Sequence, residues 1–192
     1  MKNNLGVWQF AGFTVSVALG TILHFLFEWT GAYAVAPISA VNESTWEHMK
    51  ILFFPMLLFA FVQYAFFRKD FQLFWWIKLI GIVVGTVSIP ILFYTYNGAF
   101  GKTPDWLNIS FFFISAGVAY LLEYILFKKE LKSPNARNEN AWKSWNANAW
   151  IALAVLMAIG LVFVAFTFYP PKLPLFQDPL TGKHGVVVSP SI

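Results

Sequence analysis

Residues 149–169 read A-W-I-A-L-A-V-L-M-A-I-G-L-V-F-V-A-F-T-F-Y, an apolar run without one charged side chain. A helix rising about 1.5 Å per residue needs about 20 residues to cross the ~30 Å hydrocarbon core of a bilayer. This run has that length, and Trp150 and Tyr169 stand at its ends, where amphipathic rings favour the headgroup level. It predicts a membrane-spanning helix.

Four similar runs precede it, near residues 8–29, 46–67, 72–96 and 106–127. The composition agrees. Of 192 residues, 58% are hydrophobic, 20% aromatic and only 11% charged, with 22 Phe and 9 Trp, whereas ordinary domains carry about 25% charged residues. Mean hydropathy is +0.62. Disorder, a coiled coil and a nucleic-acid-binding module are excluded, and the fold class expected is all-α, a polytopic bundle of five transmembrane helices. Residues 1–169 form that domain, and 170–192 are expected as an extended exterior tail or one folded back over the helices. The chain has no cysteine, which removes disulfides, thiolate metal sites and cysteine nucleophiles.

Charge sets the expected orientation. Lys2, Arg68, Lys69, Lys128, Lys129, Lys132, Arg137 and Lys143 fall on one side of the predicted bundle, and Lys50, Lys102, Lys172 and Lys183 on the other. Short loops rich in Lys and Arg stay in the cytoplasm, so the amino terminus is expected inside and the carboxyl terminus outside a bacterial cytoplasmic membrane. The pI of about 9.3 is then explained by insertion and by attraction to anionic lipid. The partner is the lipid bilayer, not nucleic acid. The first span resembles a signal peptide in the short Lys2-bearing head before it and the Ala34-Val35-Ala36 after it, but its apolar run is too long and Pro37 follows directly, so it reads as a retained helix.

Helices in lipid associate through close backbone contact and interhelical hydrogen bonds. Gly12, Ser16 and Gly20 supply small residues every fourth position in the first span, and Gly81 and Gly85 do so in the third. Pro55 and Pro90 fall inside the second and third spans and are expected to kink them. Residues 128–148 read as a polar, Asn-rich loop with a turn at Ser133-Pro134.

Ionisable side chains within spans are expensive and therefore functional candidates. His24 and Glu28 lie one turn apart in the first span, and the second opens with N-E-S-T-W-E-H at residues 42–48. His24 lies just inside Trp29 and His48 just inside Trp46, so both are expected at similar depth on neighbouring antiparallel helices. Two imidazoles with carboxylates suit zinc or another divalent metal, and a vacant position would activate water. His24, Glu28 and His48 are the expected metal ligands, with Glu43 or Glu47 as general base; Asp178 and His184 of the tail are further candidates. Against this, Ser44-x-x-Glu47 is a capping box that would give Glu47 a structural task. A second group, Lys78 and Glu123, matches in depth from the opposite side and is expected as a structural ion pair. The hypotheses that follow are a metal- or ligand-binding site that supports hydrolysis, a non-enzymatic subunit or interaction protein whose polar residues cap and tether helices, and a small-solute transporter.

The chain resembles an uncharacterised family of small bacterial integral membrane proteins. The features that carry the resemblance are H-F-L-F-E-W at 24–29, N-E-S-T-W-E-H-M-K at 42–50 and P-L-F-Q-D-P-L-T-G at 174–182. It implies bacterial origin and the five-helix layout, and no activity.

Overall fold

The computed structural model describes residues 4–102, 104–132 and 139–186, with residues 105 and 139–147 described through their backbone. Five helices follow in order: α1 (Leu5–Thr30), α2 (Thr45–Phe67), α3 (Phe74–Phe100), α4 (Asp105–Lys132) and α5 (Glu139–Phe168). All five are long and apolar enough to cross a membrane, which makes the chain a multi-pass membrane protein of the all-α class. A short 3-10 turn at Pro174–Phe176 follows. The tail, expected as an extended segment or one folded back over the helices, places Phe176 against Trp46 and Phe166 at ring distances of 4.6 and 5.5 Å, where it is buried.

The expected loop at 128–148 is much shorter. α4 runs on to Lys132 and α5 already begins at Glu139. The Lys, Glu and Leu of residues 128–132 are good helix formers that continue α4, while the Asn-rich start of α5 is helical despite weaker propensities. The turn expected at Ser133-Pro134 lies outside the described residues, as do Lys2, Arg137 and the side chains of Trp142, Lys143 and Trp145.

α2 is the central helix: 61% of its apolar window is buried, against 28% for α1 and α5. It packs on each of the other four. Trp46, expected at the membrane boundary, belongs to this core, and so does Trp75 of α3. Trp46 stacks near Phe163 at 4.5 Å and Trp75 lies against Tyr64 at 5.1 Å, both buried. Trp29, Trp106 and Tyr169 remain exposed at helix ends, and Trp150 is exposed inside α5 where the apolar run begins.

Small residues set how closely the helices approach. A Cβ on Gly85 would lie 2.7 Å from the Ala119 Cβ, and one on Gly12 would lie 2.5 Å from the Tyr120 ring. Beside that notch Ser16 Oγ and Tyr120 OH share a buried hydrogen bond of 2.7 Å between α1 and α4. Gly12→Ala is accordingly expected to lower stability by about 1–3 kcal/mol through overpacking, measurable as a lower thermal midpoint in detergent; an unchanged midpoint would contradict the close approach.

Both prolines lie inside continuous helices. Pro55 has no N–H, so the Ile51 carbonyl loses its helical donor. That carbonyl faces Gly20 of α1, where a Cβ would sit only 2.9 Å from it. Gly20 thus lets α1 meet the exposed backbone of α2. α3 begins without a capping side chain of its own. Glu130 of α4 substitutes, its Oε1 accepting from Gln72 N at 2.6 Å and Leu73 N at 2.9 Å, which satisfies orphan donors at a helix start.

Candidate metal centre

α1 ends at Gly31, whose φ of +59° suits a glycine cap and whose N–H donates to Phe27 O at 2.8 Å. The chain then turns back over the bundle. Ala40 N donates to Leu23 O at 3.0 Å, and Ala36, Ser39, Ala40 and Val41 are buried. Lys50 is the post that holds this loop. Its Nζ donates to Ala36 O at 3.0 Å and to Thr167 Oγ1 at 2.8 Å, and pairs with Glu47 Oε2 at 2.5 Å. The same Glu47 oxygen accepts from Val41 N at 3.1 Å.

Closer to α2, Asn42 Oδ1 accepts from Ser44 N at 2.8 Å, while Asn42 Nδ2 donates to Gly185 O of the tail at 2.7 Å. Ser44 caps α2 by accepting from Glu47 N at 3.4 Å. The capping box is only half built, because the Glu47 carboxylate reaches Val41 N and Lys50 instead of Ser44 N. These ties fix residues 40–44, and Glu43 lies within them.

Glu43 is delivered between the two imidazoles. Its Oε1 is 3.7 Å from His24 Nε2 and its Oε2 is 3.6 Å from His48 Nε2. The imidazole centroids are 5.3 Å apart. Among the described residues, His24, Glu43 and His48 form a group whose ligand atoms all lie within 4.8 Å of one another. With ligand atoms up to 4.8 Å apart, a point equidistant from all three falls roughly 2.4–2.8 Å from each, against about 2.0–2.2 Å for zinc–nitrogen and zinc–oxygen bonds. A closure of roughly half an ångström at each ligand makes the donor set fit a divalent metal.

The tautomer of His48 is fixed. Its Nδ1 lies 2.9 Å from Ser44 O, and a carbonyl can only accept, so Nδ1 carries a proton and the neutral ring offers its lone pair at Nε2. Metal-binding histidines commonly carry such a carbonyl partner on the other ring nitrogen, which orients the ring and raises its basicity.

The group borders a cavity of about 530 Å³. α1 and α2 contribute its polar wall, with His24, Glu43, Thr45 and His48, and α3 and α4 contribute an apolar wall that includes Ile89, Phe93 and Phe112. From the tail, Pro179 and Leu180 reach the same space.

Comparison with known proteins matches the chain to a family of unknown function (DUF6512) over residues 1–186. The chain belongs to this family. No curated protein and no solved structure matches it. The DUF6512 match covers nearly all of the chain, including the loop and tail that build the cavity.

The other expected site residues in this DUF6512 chain fall elsewhere. Glu28, expected as a ligand, is exposed on the last turns of α1 and lies outside the compact group. Glu47, expected as a possible general base, is buried on Lys50. In the tail, Asp178 closes its own turn by accepting from Leu180 N at 3.1 Å and Thr181 Oγ1 at 2.6 Å, and His184 pairs through its backbone with Gln177. At the opposite end Lys78 Nζ lies 2.5 Å from Glu123 Oε2, both buried. Sequence reasoning missed Lys50, which reads as an interfacial charge because it sits close to a span end; only the return of the loop over it puts it inside.

Proposed function

We propose that this protein binds a divalent transition metal of the zinc class through His24, Glu43 and His48, at the outer face of a bacterial cytoplasmic membrane. The observation that carries the reading is the convergence of three ligand atoms within 4.8 Å, one of them on a ring whose other nitrogen is held by Ser44 O. Two His and one Glu is a donor set of catalytic zinc sites, which leave a fourth position for water or substrate. A metal so held supplies a hydroxide nucleophile near neutral pH, and hydrolysis is the reaction class this supports. Glu43 then serves as ligand and Glu47 as a strut of the loop. The outward orientation rests on the excess of Lys and Arg in the connections at the other end.

Metal analysis of the full-length protein, purified without chelator, tests this. One equivalent of metal is expected in the wild type, with affinity reduced at least tenfold in each of His24→Ala, His48→Ala and Glu43→Gln while the thermal midpoint is kept. Occupancy should fall on acidification, because imidazole ligates only when neutral. A metal-free wild type, or variants that all retain the metal, would overturn the proposal.

A further inference from the structure

The cavity beside the triad is divided by chemistry. Its ionisable groups, His24, Glu43 and His48, stand together on the α1–α2 side, while Ile89 and Phe93 of α3 and Phe111, Phe112 and Phe113 of α4 form the opposite wall. A small hydrophilic solute would leave that aromatic wall wet and uncompensated, since burying polar groups against apolar surface without partners is unfavourable. An amphiphile satisfies both walls at once.

The size limits which amphiphile. A cavity of about 530 Å³ lies within the usual range of ligand sites. With a methylene about as large as a water in the liquid, roughly 30 Å³, it has room for about one chain of 16–18 carbons. Access is from the side of the bundle. Ile109 and Phe113 of α4 line the cavity while 61% and 42% exposed, on the surface that faces lipid. Asn108, one residue before Ile109, also lines the space, and its Oδ1 is buried without a hydrogen-bond partner. A carboxamide so placed offers a polar contact to a ligand in the cavity.

Building on the metal reading above, we propose that the cavity takes a single-chain acyl lipid from the bilayer, its carbonyl or carboxylate oxygen at the His24–Glu43–His48 triad and its chain along the α3–α4 wall. The carboxyl head supplies an oxygen donor for a metal with an open position, and the chain replaces lipid contacts with contacts to Phe93 and Phe112.

The test uses the full-length, metal-loaded protein in detergent and a photo-crosslinking palmitate that bears a diazirine on its chain. Crosslinks are expected in the peptides that carry residues 89–93 and 109–113, competed by excess palmitate and not by butyrate. Ile89→Trp, which fills the apolar side, and Ile109→Lys, which places a charge at the exposed mouth, should each reduce labelling at least fivefold while metal content is unchanged. Metal content also reports that each variant is folded. Separate competition by palmitate and by 1-palmitoyl-lysophosphatidylcholine distinguishes a free acid from an ester-linked chain, and competition by neither overturns the proposal. Labelling spread evenly over lipid-facing residues such as Val7 and Phe10 overturns it. So does equal labelling of the cavity with and without metal. A protein that binds no metal defeats the metal reading itself; a metal-loaded protein that takes no palmitate defeats only the lipid.

Discussion

Lys78→Met is expected to destabilise the bundle by about 3–5 kcal/mol, because it leaves the buried Glu123 without the cation it pairs with. The pair is fully enclosed. Lys78 Nζ and Glu123 Oε2 are 2.5 Å apart, with the rings of Phe74, Tyr120 and Phe127 5.4–5.9 Å from the ammonium. Glu123 Oε1 has no donor among the described residues, so nothing else is at hand to compensate the charge. The carboxylate also fills the notch at Gly81, where a Cβ would come within 2.6 Å of that oxygen. Lys78→Met combined with Glu123→Gln should recover most of the loss, since removing both charges is far less damaging than removing one. Thermal unfolding in detergent measures all three variants. A double variant as unstable as the single one would show that the pair is not the tether between α3 and α4.

The second large effect is expected at Lys50, and it separates stability from binding. Lys50→Met strips the partner from Glu47 and the donor from Ala36 O and Thr167 Oγ1. A loss of about 3–5 kcal/mol is again expected from the stranded carboxylate. Metal affinity should fall as well, by about 10–100-fold, the range seen when groups that orient ligands are removed. Adding Glu47→Gln should restore much of the stability and little of the affinity, because the loop remains unpinned at Ala36 and Glu43 is no longer held between the imidazoles. Recovery of both properties together would mean that Lys50 acts on the triad only through overall stability.

The helices were legible because a run of about 20 apolar residues has one solution in a bilayer. Their ends were less so. Residues 139–148 are polar yet helical, and hydropathy reports depth in the membrane, not backbone conformation. At the site, the depth shared by His24 and His48 could be read from Trp29 and Trp46, although Trp46 proves to be a core residue under Phe176. The choice of Glu43 over Glu28 could not be read. Glu28 shares a helical face with His24 by simple periodicity, whereas Glu43 arrives along a loop path set by Ala40 N on Leu23 O and Ala36 O on Lys50. Those contacts follow no repeat, and the one from Asn42 to Gly185 depends on a tail 143 positions away. Non-local ties of this kind leave no periodic trace in a chain.

Lys50 also bears on how such a chain is made. α2 leaves the ribosome long before Thr167 exists, yet it must enter the bilayer with an ammonium group close to its start. Glu47, three positions earlier on the same helix, means that the segment brings its own counter-ion and can partition as a nearly neutral unit. The hydroxyl on α5, 117 positions later in sequence, is then the last piece to dock. The ties of the loop to α1 and α2, Ala40 N on Leu23 O and Lys50 Nζ on Ala36 O, need no part of the fifth crossing, which adds only the Thr167 hydroxyl to a post already paired.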